Sequence, residues 1–261
     1  MDEQARGLRH LSPALLEQGS RCLGLSLGQG QLGLFRRYYQ ELLAWNERVN
    51  LTAIVEWEAV QVQHFLDSLT CALVLPAEAT HSPYAIVDVG AGAGFPSLPL
   101  KILFPQARLT LVESIQKKAA FLRQVVQRLG LGDVEVLPAR AEEAGRCPAH
   151  REAYDLAVSR AVAALPTLAE YCLPFVRLGG LFVAPKGREV EEEVKAAGRA
   201  LEELGGRLRE VRPVELPGLE GPRHLVVVEK IRPTPERYPR RPGIPAKRPL
   251  GQVLHGEPGG G

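Results

Sequence analysis

Cysteine is scarce in this sequence: four residues among 261, Cys22, Cys71, Cys147 and Cys172, with no C-x-x-C pair. That scatter excludes a disulfide framework and a zinc site built on paired cysteines, and it leaves the thiols to be read as buried and reduced. Long uninterrupted apolar runs are missing too. The stretch AYDLAVSRAVAALPTLAEYCLPFV is broken by Asp155, Arg160 and Glu170, and the opening MDEQARGLRH is charged. Neither a membrane span nor a signal peptide is expected, so the sequence points to a cytoplasmic protein with no membrane partner. Charge of one sign is not in excess: 32 Lys and Arg against 30 Asp and Glu leave +2, too little by itself to argue for nucleic acid. It is unevenly placed, however. The segment IRPTPERYPRRPGIPAKRPL, Ile231 to Leu250, carries six Arg or Lys against the single acid Glu236. What is present in quantity is an ordinary globular balance, 45% hydrophobic and 24% charged, with apolar material for a sizeable core.

Periodicity divides the chain in three. In residues 1–80, Leu32, Phe35, Tyr38, Tyr39, Leu42 and Trp45 recur at spacings of three and four, and EWEAVQVQHFLDSLTCALVL repeats the pattern, which predicts helices. From Tyr84 the texture changes. The runs AIVDV, RLTLV, DVEVL, YDLAVS and GLFVAP are each followed by a helix-compatible segment, the signature of parallel strands with crossover helices. After REVEEEVKAAGRALEELGG come RLREVRPVEL and RHLVVVEK with no helix between them, so this α/β domain, residues 81–231, should close with an antiparallel hairpin. The remaining tail, 232–261, is rich in Pro and Gly and is expected to be extended, unable to coil into a helix, with GEPGGG disordered.

The loop that follows the first strand carries the chemistry. Asp88-x-Gly90-x-Gly92-x-Gly94 is followed by Phe95-Pro96-Ser97 where a P-loop would need Gly-Lys-Ser/Thr, and its spacing misses the dinucleotide fingerprint by one residue. The glycines still let the backbone turn sharply and approach a ligand, with the dipole of a helix beginning near Phe95 or Pro96 aimed at it. Glu113 ends the next strand 19 residues beyond Gly94, where a carboxylate can accept hydrogen bonds from both hydroxyls of a ribose. A nucleoside-containing cofactor is indicated.

These residues, with the terminal hairpin, resemble motifs I and II of class I S-adenosylmethionine-dependent methyltransferases. The resemblance implies that Asp88, Gly90, Gly92 and Phe95 belong to the S-adenosyl-L-methionine site, with backbone groups of Gly90 and Phe95 lining its methionine side, that Glu113 binds the ribose, and that Ser114 and Ile115 flank the adenine. It places Ala141 and Glu142, in LPARAEE, at the adenine as well, although an acidic pair there could simply favour a helix N-terminus. WNERVNLTAI, HFLDSL, VDVGAGAGFPSLPLKI, LVESIQKKAAFL, SRAVAAL and RYPRRPGIPAKRPL together resemble the RsmG (glucose-inhibited division protein B) family over about residues 30–250. That resemblance implies methylation of N7 of a guanosine, position 527, in 16S ribosomal RNA, with the RNA or the small subunit as partner.

The segment YDLAVSRAVAALPTL lacks an Asn-Pro-Pro-Tyr-like motif and a cysteine nucleophile, which disfavours adenine-N6 and cytosine-C5 chemistry. Guanine N7 needs no deprotonation, so orientation can replace acid–base catalysis, with Arg160 positioning the cofactor or the base, or else pairing with Asp155. For RNA, the candidates are His64, Lys186, Arg237, Arg240, Arg241 and Lys247, together with Arg248; the alternative for the tail is packing of Tyr238 and the prolines across the domain. His64 and Asp67 share a helix face and could meet the target or the loop around Arg160, or link the helical region to the α/β domain. A nicotinamide-dependent oxidoreductase and a nonenzymatic RNA-binding module stay as alternatives. Nothing demands more than a monomer.

Overall fold

Alternating apolar runs and helical periods resolve into one seven-stranded sheet covered on both faces. The computed structural model describes residues 11–76, 83–160, 163–219 and 221–251. The boundary expected at residues 80 and 81 and the terminal GEPGGG lie outside them. The first two helices among the described residues are α1 (Ala14–Cys22) and α2 (Gln29–Val49). A continuous helical run, α3, starts as α-helix at Trp57–Val60, widens into a π turn at Gln61–Leu66, returns to α at Asp67–Leu69 and tightens to a 3-10 turn at Thr70–Val74.

The sheet comprises β1 (Ala85–Val89), β2 (Arg108–Val112), β3 (Val134–Leu137), β4 (Tyr154–Val158), β5 (Val176–Lys186), β6 (Gly206–Val214) and β7 (Arg223–Lys230). Between them lie α4 (Ser97–Leu103), α5 (Gln116–Leu129), α6 (Ala141–Ala144), α7 (Leu165–Cys172) and α8 (Val190–Glu203). The order is β3-β2-β1-β4-β5-β7-β6, with β7 running antiparallel to both β5 and β6. The expected hairpin is therefore present, and its second strand is inserted beside β5.

Strands buried on both faces read as unbroken apolar runs, because neither side meets water. One face of the sheet carries Ile86, Leu109, Leu111, Leu156 and Val227 against α1 to α5; the other carries Val87, Ala157, Phe182 and Val226 against α7 and α8. The N-terminal helices belong to the first of these cores: Phe35, Tyr38 and Phe65 pack against Phe95 and Leu98 next to the glycine loop.

Two expectations are corrected. The tail forms a helical turn, α9 (Ile244–Lys247), with Pro245 in its first turn, where a missing N–H leaves no hydrogen bond unmade. It also packs closely: Arg146 donates to the carbonyls of Arg237 and Pro239, Arg151 to those of Thr234 and Tyr238, and Tyr238 to Glu203. Of the cysteines, Cys71 and Cys172 are buried, but Cys22, at the end of α1, and Cys147, in the loop after α6, are exposed; all four are free.

Candidate active site

In an open α/β sheet, ligands bind in the crevice beyond the carboxyl ends of the parallel strands. The glycine loop sits at that end of β1, sealed to β2 by Gly90 N and Ala91 N donating to Val112 O at 2.9 and 3.1 Å. A crevice of about 390 Å3 lies over it, lined by Gly90, Gly92, Phe95, Glu113, Ser114, Ile115, Lys118 and Arg160, with Leu51 and Thr52 from the loop between α2 and α3 and His64 from α3. A larger concavity of about 690 Å3 opens at the opposite ends of β1, β2 and β4, near Ala85, Arg108 and Tyr154, where the crevice rule places no cofactor.

The glycines divide the work. Gly92 has φ +58°, and a Cβ there would meet nothing nearer than Gly90 O at 3.8 Å, so its bare face opens on the crevice. Gly94, at φ +87°, faces inward instead, and a Cβ would come within 2.6 Å of Tyr38 Oη. Asp88 is fully buried beneath the loop and takes a 2.5 Å hydrogen bond from Ser97 Oγ. Burial pushes its carboxyl up to about 7 against the lowering effect of that bond. It supports the loop from below and does not line the crevice.

Glu113, 5% exposed, accepts from Gly92 N at 2.9 Å and Ile115 N at 2.7 Å, which fixes its carboxylate across the glycine turn. Each oxygen keeps acceptor capacity for a further donor. Ser114 and Ile115 are exposed on the rim. Ala141 and Glu142 line an adjoining recess of about 140 Å3 that shares Gly90 and Ser114 with the crevice and includes Tyr171. Glu142 is buried and accepts from Gly243 N at 2.8 Å, so the tail holds this carboxylate in place.

On the other side Phe95 is enclosed by charged and aromatic groups. The Arg160 guanidinium lies 5.0 Å from its ring centroid, and the His64 ring stacks on it at 4.6 Å. Arg160 pairs with Asp67 at 2.9 Å, while Asp155 pairs with Arg177. His64 lies in the π turn, a deviation frequent at functional sites, and meets Thr52 Oγ1 at 2.7 Å. Burial first, then the nearby Arg160 charge, lowers its pKa to about 4, so the imidazole is neutral near pH 7.

The remaining candidates separate by environment. Lys186 is buried and bonded to Glu193 and Ala163 O; Arg240 forms a forked pair with the fully buried Glu170. Both are engaged internally. Arg237, Arg241, Lys247 and Arg248 are exposed, with Arg237 stacked over Tyr238. Sequence reasoning missed Leu51, Thr52 and Lys118 as lining residues. The signal for Thr52 was the Asn-rich WNERVNLT: Asn46 Oδ1 accepts from the amides of Leu51 and Thr52, and Asn50 takes the left-handed conformation that turns the chain over the crevice.

The reversed β7, the glycine turn ending β1 and the carboxylate ending β2 define a class I methyltransferase fold. The family model described as GidB, rRNA small subunit methyltransferase G, matches residues 31–226. Ribosomal RNA small subunit methyltransferase G of Roseiflexus sp. (strain RS-1) is 54% identical over 90% of this chain and 99% of its own length. The protein of the same name from Bacillus cereus (strain B4264) is 47% identical over 87% and 94%. Among solved structures, a SAM-dependent O-methyltransferase from Thermotoga maritima is 16% identical, covers 64% of this chain and 65% of its own, and has a TM-score of 0.47. The chain belongs to the rRNA small subunit methyltransferase G family. Among the described residues no helix is long and apolar enough to cross a membrane, and no group of three or more His, Cys, Asp or Glu side chains could hold a metal.

Proposed function

We propose that this methyltransferase of small-subunit ribosomal RNA transfers the methyl group of S-adenosyl-L-methionine to N7 of a guanosine in 16S RNA, by direct in-line displacement without a general base. The donor supplies an electrophilic sulfonium methyl carbon. Glu113 and the bare face of Gly92 fit a ribose and its flanking chain, and the recess at Ala141, Glu142 and Tyr171 fits a purine. Arg160 and Phe95 orient the reacting groups, and Leu51 and Thr52 help exclude water.

The observation that carries this reading is the lack of a suitable base among the described residues lining the crevice. Glu113 is tied to two amides, and His64 is held by Thr52 and depressed to about 4, far from the pKa at which a base works well near pH 7. Cys71 and Cys172, with thiols pushed up by burial, lie outside the crevice. Guanine N7 has a free lone pair in the neutral base, so orientation suffices. The exposed Arg237, Arg241 and Lys247 would meet phosphates of the RNA, giving salt-dependent affinity. The test is incubation with methyl-labelled S-adenosyl-L-methionine and 16S RNA from cells lacking the modification, followed by nucleotide mapping. Label is expected at a guanine N7; label on an amino nitrogen, a ribose or the protein refutes the assignment.

A further inference from the structure

Asp67 does not line the crevice, yet it governs a group that does. It lies in α3, 1% exposed, and divides its carboxylate between two arginines: Oδ2 meets Arg160 Nη1 at 2.9 Å and Oδ1 meets Arg223 Nε at 2.8 Å. The three charges come from α3, from the segment after β4 and from the first residue of β7. We infer that Asp67 is a positioning residue for methyl transfer, holding the Arg160 guanidinium against Phe95 through a carboxylate shared with Arg223. This rests on the reading of Arg160 as part of the transfer site.

The physical reason is charge. Both arginine side chains are largely buried, 16% and 26% exposed, and Asp67 is the anion paired with each. The other polar partners of Arg160 are neutral, Gln63 O at 3.3 Å and His64 Nδ1 at 3.4 Å. Without the carboxylate, Arg160 loses the anion that anchors its guanidinium against the Phe95 ring, and the repulsion of two partly desolvated cations facing each other across one side chain costs stability besides. An amide at position 67 keeps the shape but removes the anion and turns an N–H donor toward one guanidinium.

A merely structural ion pair makes a different forecast, and a second substitution separates the two. Asp67→Asn should lower turnover at least tenfold and also lower the melting temperature. Asp67→Asn combined with Arg223→Gln removes the second cation, so the melting temperature should return most of the way to wild type while turnover stays at least tenfold down. Calorimetric affinity for S-adenosyl-L-methionine should stay within about threefold in the double variant, because Glu113 and Gly92 are untouched. Turnover that recovers together with stability, or an Asp67→Asn enzyme with wild-type turnover, overturns the inference. Arg160→Ala is assayed beside them. If it keeps wild-type turnover, the site reading itself fails; if it loses turnover while the double variant recovers, only the role of Asp67 falls.

Discussion

Replacing Gly94 and Gly92 in turn by alanine should damage different properties of the protein. At Gly94 three costs coincide. Alanine at φ +87° is strained by about 1–2 kcal/mol. Its Cβ would overlap Leu98 Cδ1 and sit 2.6 Å from Tyr38 Oη, and overpacking of this kind costs about 1–3 kcal/mol. Pushing Tyr38 away breaks its hydrogen bond to Ala93 O and leaves a buried hydroxyl unpaired, about another 1–3 kcal/mol. The sum, roughly 3–8 kcal/mol, is a large share of the ~5–15 kcal/mol that holds a protein folded. At about 2–4 °C per kcal/mol, the melting temperature should fall by at least about 6 °C. At Gly92 only the strain applies, about 1–2 kcal/mol, because the new methyl has room. That methyl points into the crevice, however, so affinity for S-adenosyl-L-methionine should drop at least about tenfold, equivalent to roughly 1.4 kcal/mol. Urea unfolding and isothermal titration calorimetry on both variants read the two effects. A Gly94→Ala protein no less stable than Gly92→Ala, or a Gly92→Ala protein that binds the donor normally, would refute the division of labour between these glycines.

Glu113→Ala should weaken donor binding by at least about tenfold, since it removes the carboxylate and frees two amides that position the loop; unchanged affinity in calorimetry would mean the ribose lies elsewhere. Two buried groups give opposite pH signatures. Asp88 holds its proton in the folded state up to about 7 but loses it near 3.8 when exposed, so it makes stability fall as pH rises between those values, by up to about 4 kcal/mol. His64, lowered to about 4 from 6.5, makes stability fall as pH drops from 6.5 to 4, by up to about 3 kcal/mol. The stability differences of Asp88→Asn and His64→Gln from wild type, measured by denaturant titration across pH 4–7, should therefore slope in opposite directions, and parallel slopes would contradict the burial argument. In the tail, Arg240→Ala strands the buried Glu170 carboxylate and should cost about 3–5 kcal/mol. Arg241→Ala and Lys247→Ala should leave stability within about 0.5 kcal/mol but reduce RNA affinity and its salt slope in filter binding; the reverse pattern would exchange their roles.

Local chemistry alone determined the order of the elements, the turn at Gly90 to Gly94 and the acid closing β2. Strand burial and turn geometry are written in short stretches of apolar periodicity and glycine, and the absence of a helix between the last two strands dictates that they run antiparallel. Which glycine serves packing and which serves a ligand was not legible, because Gly94 is constrained by Tyr38, 56 residues away in the chain. The same holds for the arginines. Arg240 and Arg241 are adjacent and chemically alike in the sequence, yet one is fixed by Glu170 on α7 and the other faces solvent. The partner of Arg160 was a choice between the nearby Asp155 and the distant Asp67, and only the packing of α3 against the sheet decided for Asp67. Side-chain pairing depends on distances set by the whole fold, and a buried charge takes whichever counter-charge the tertiary structure brings within reach.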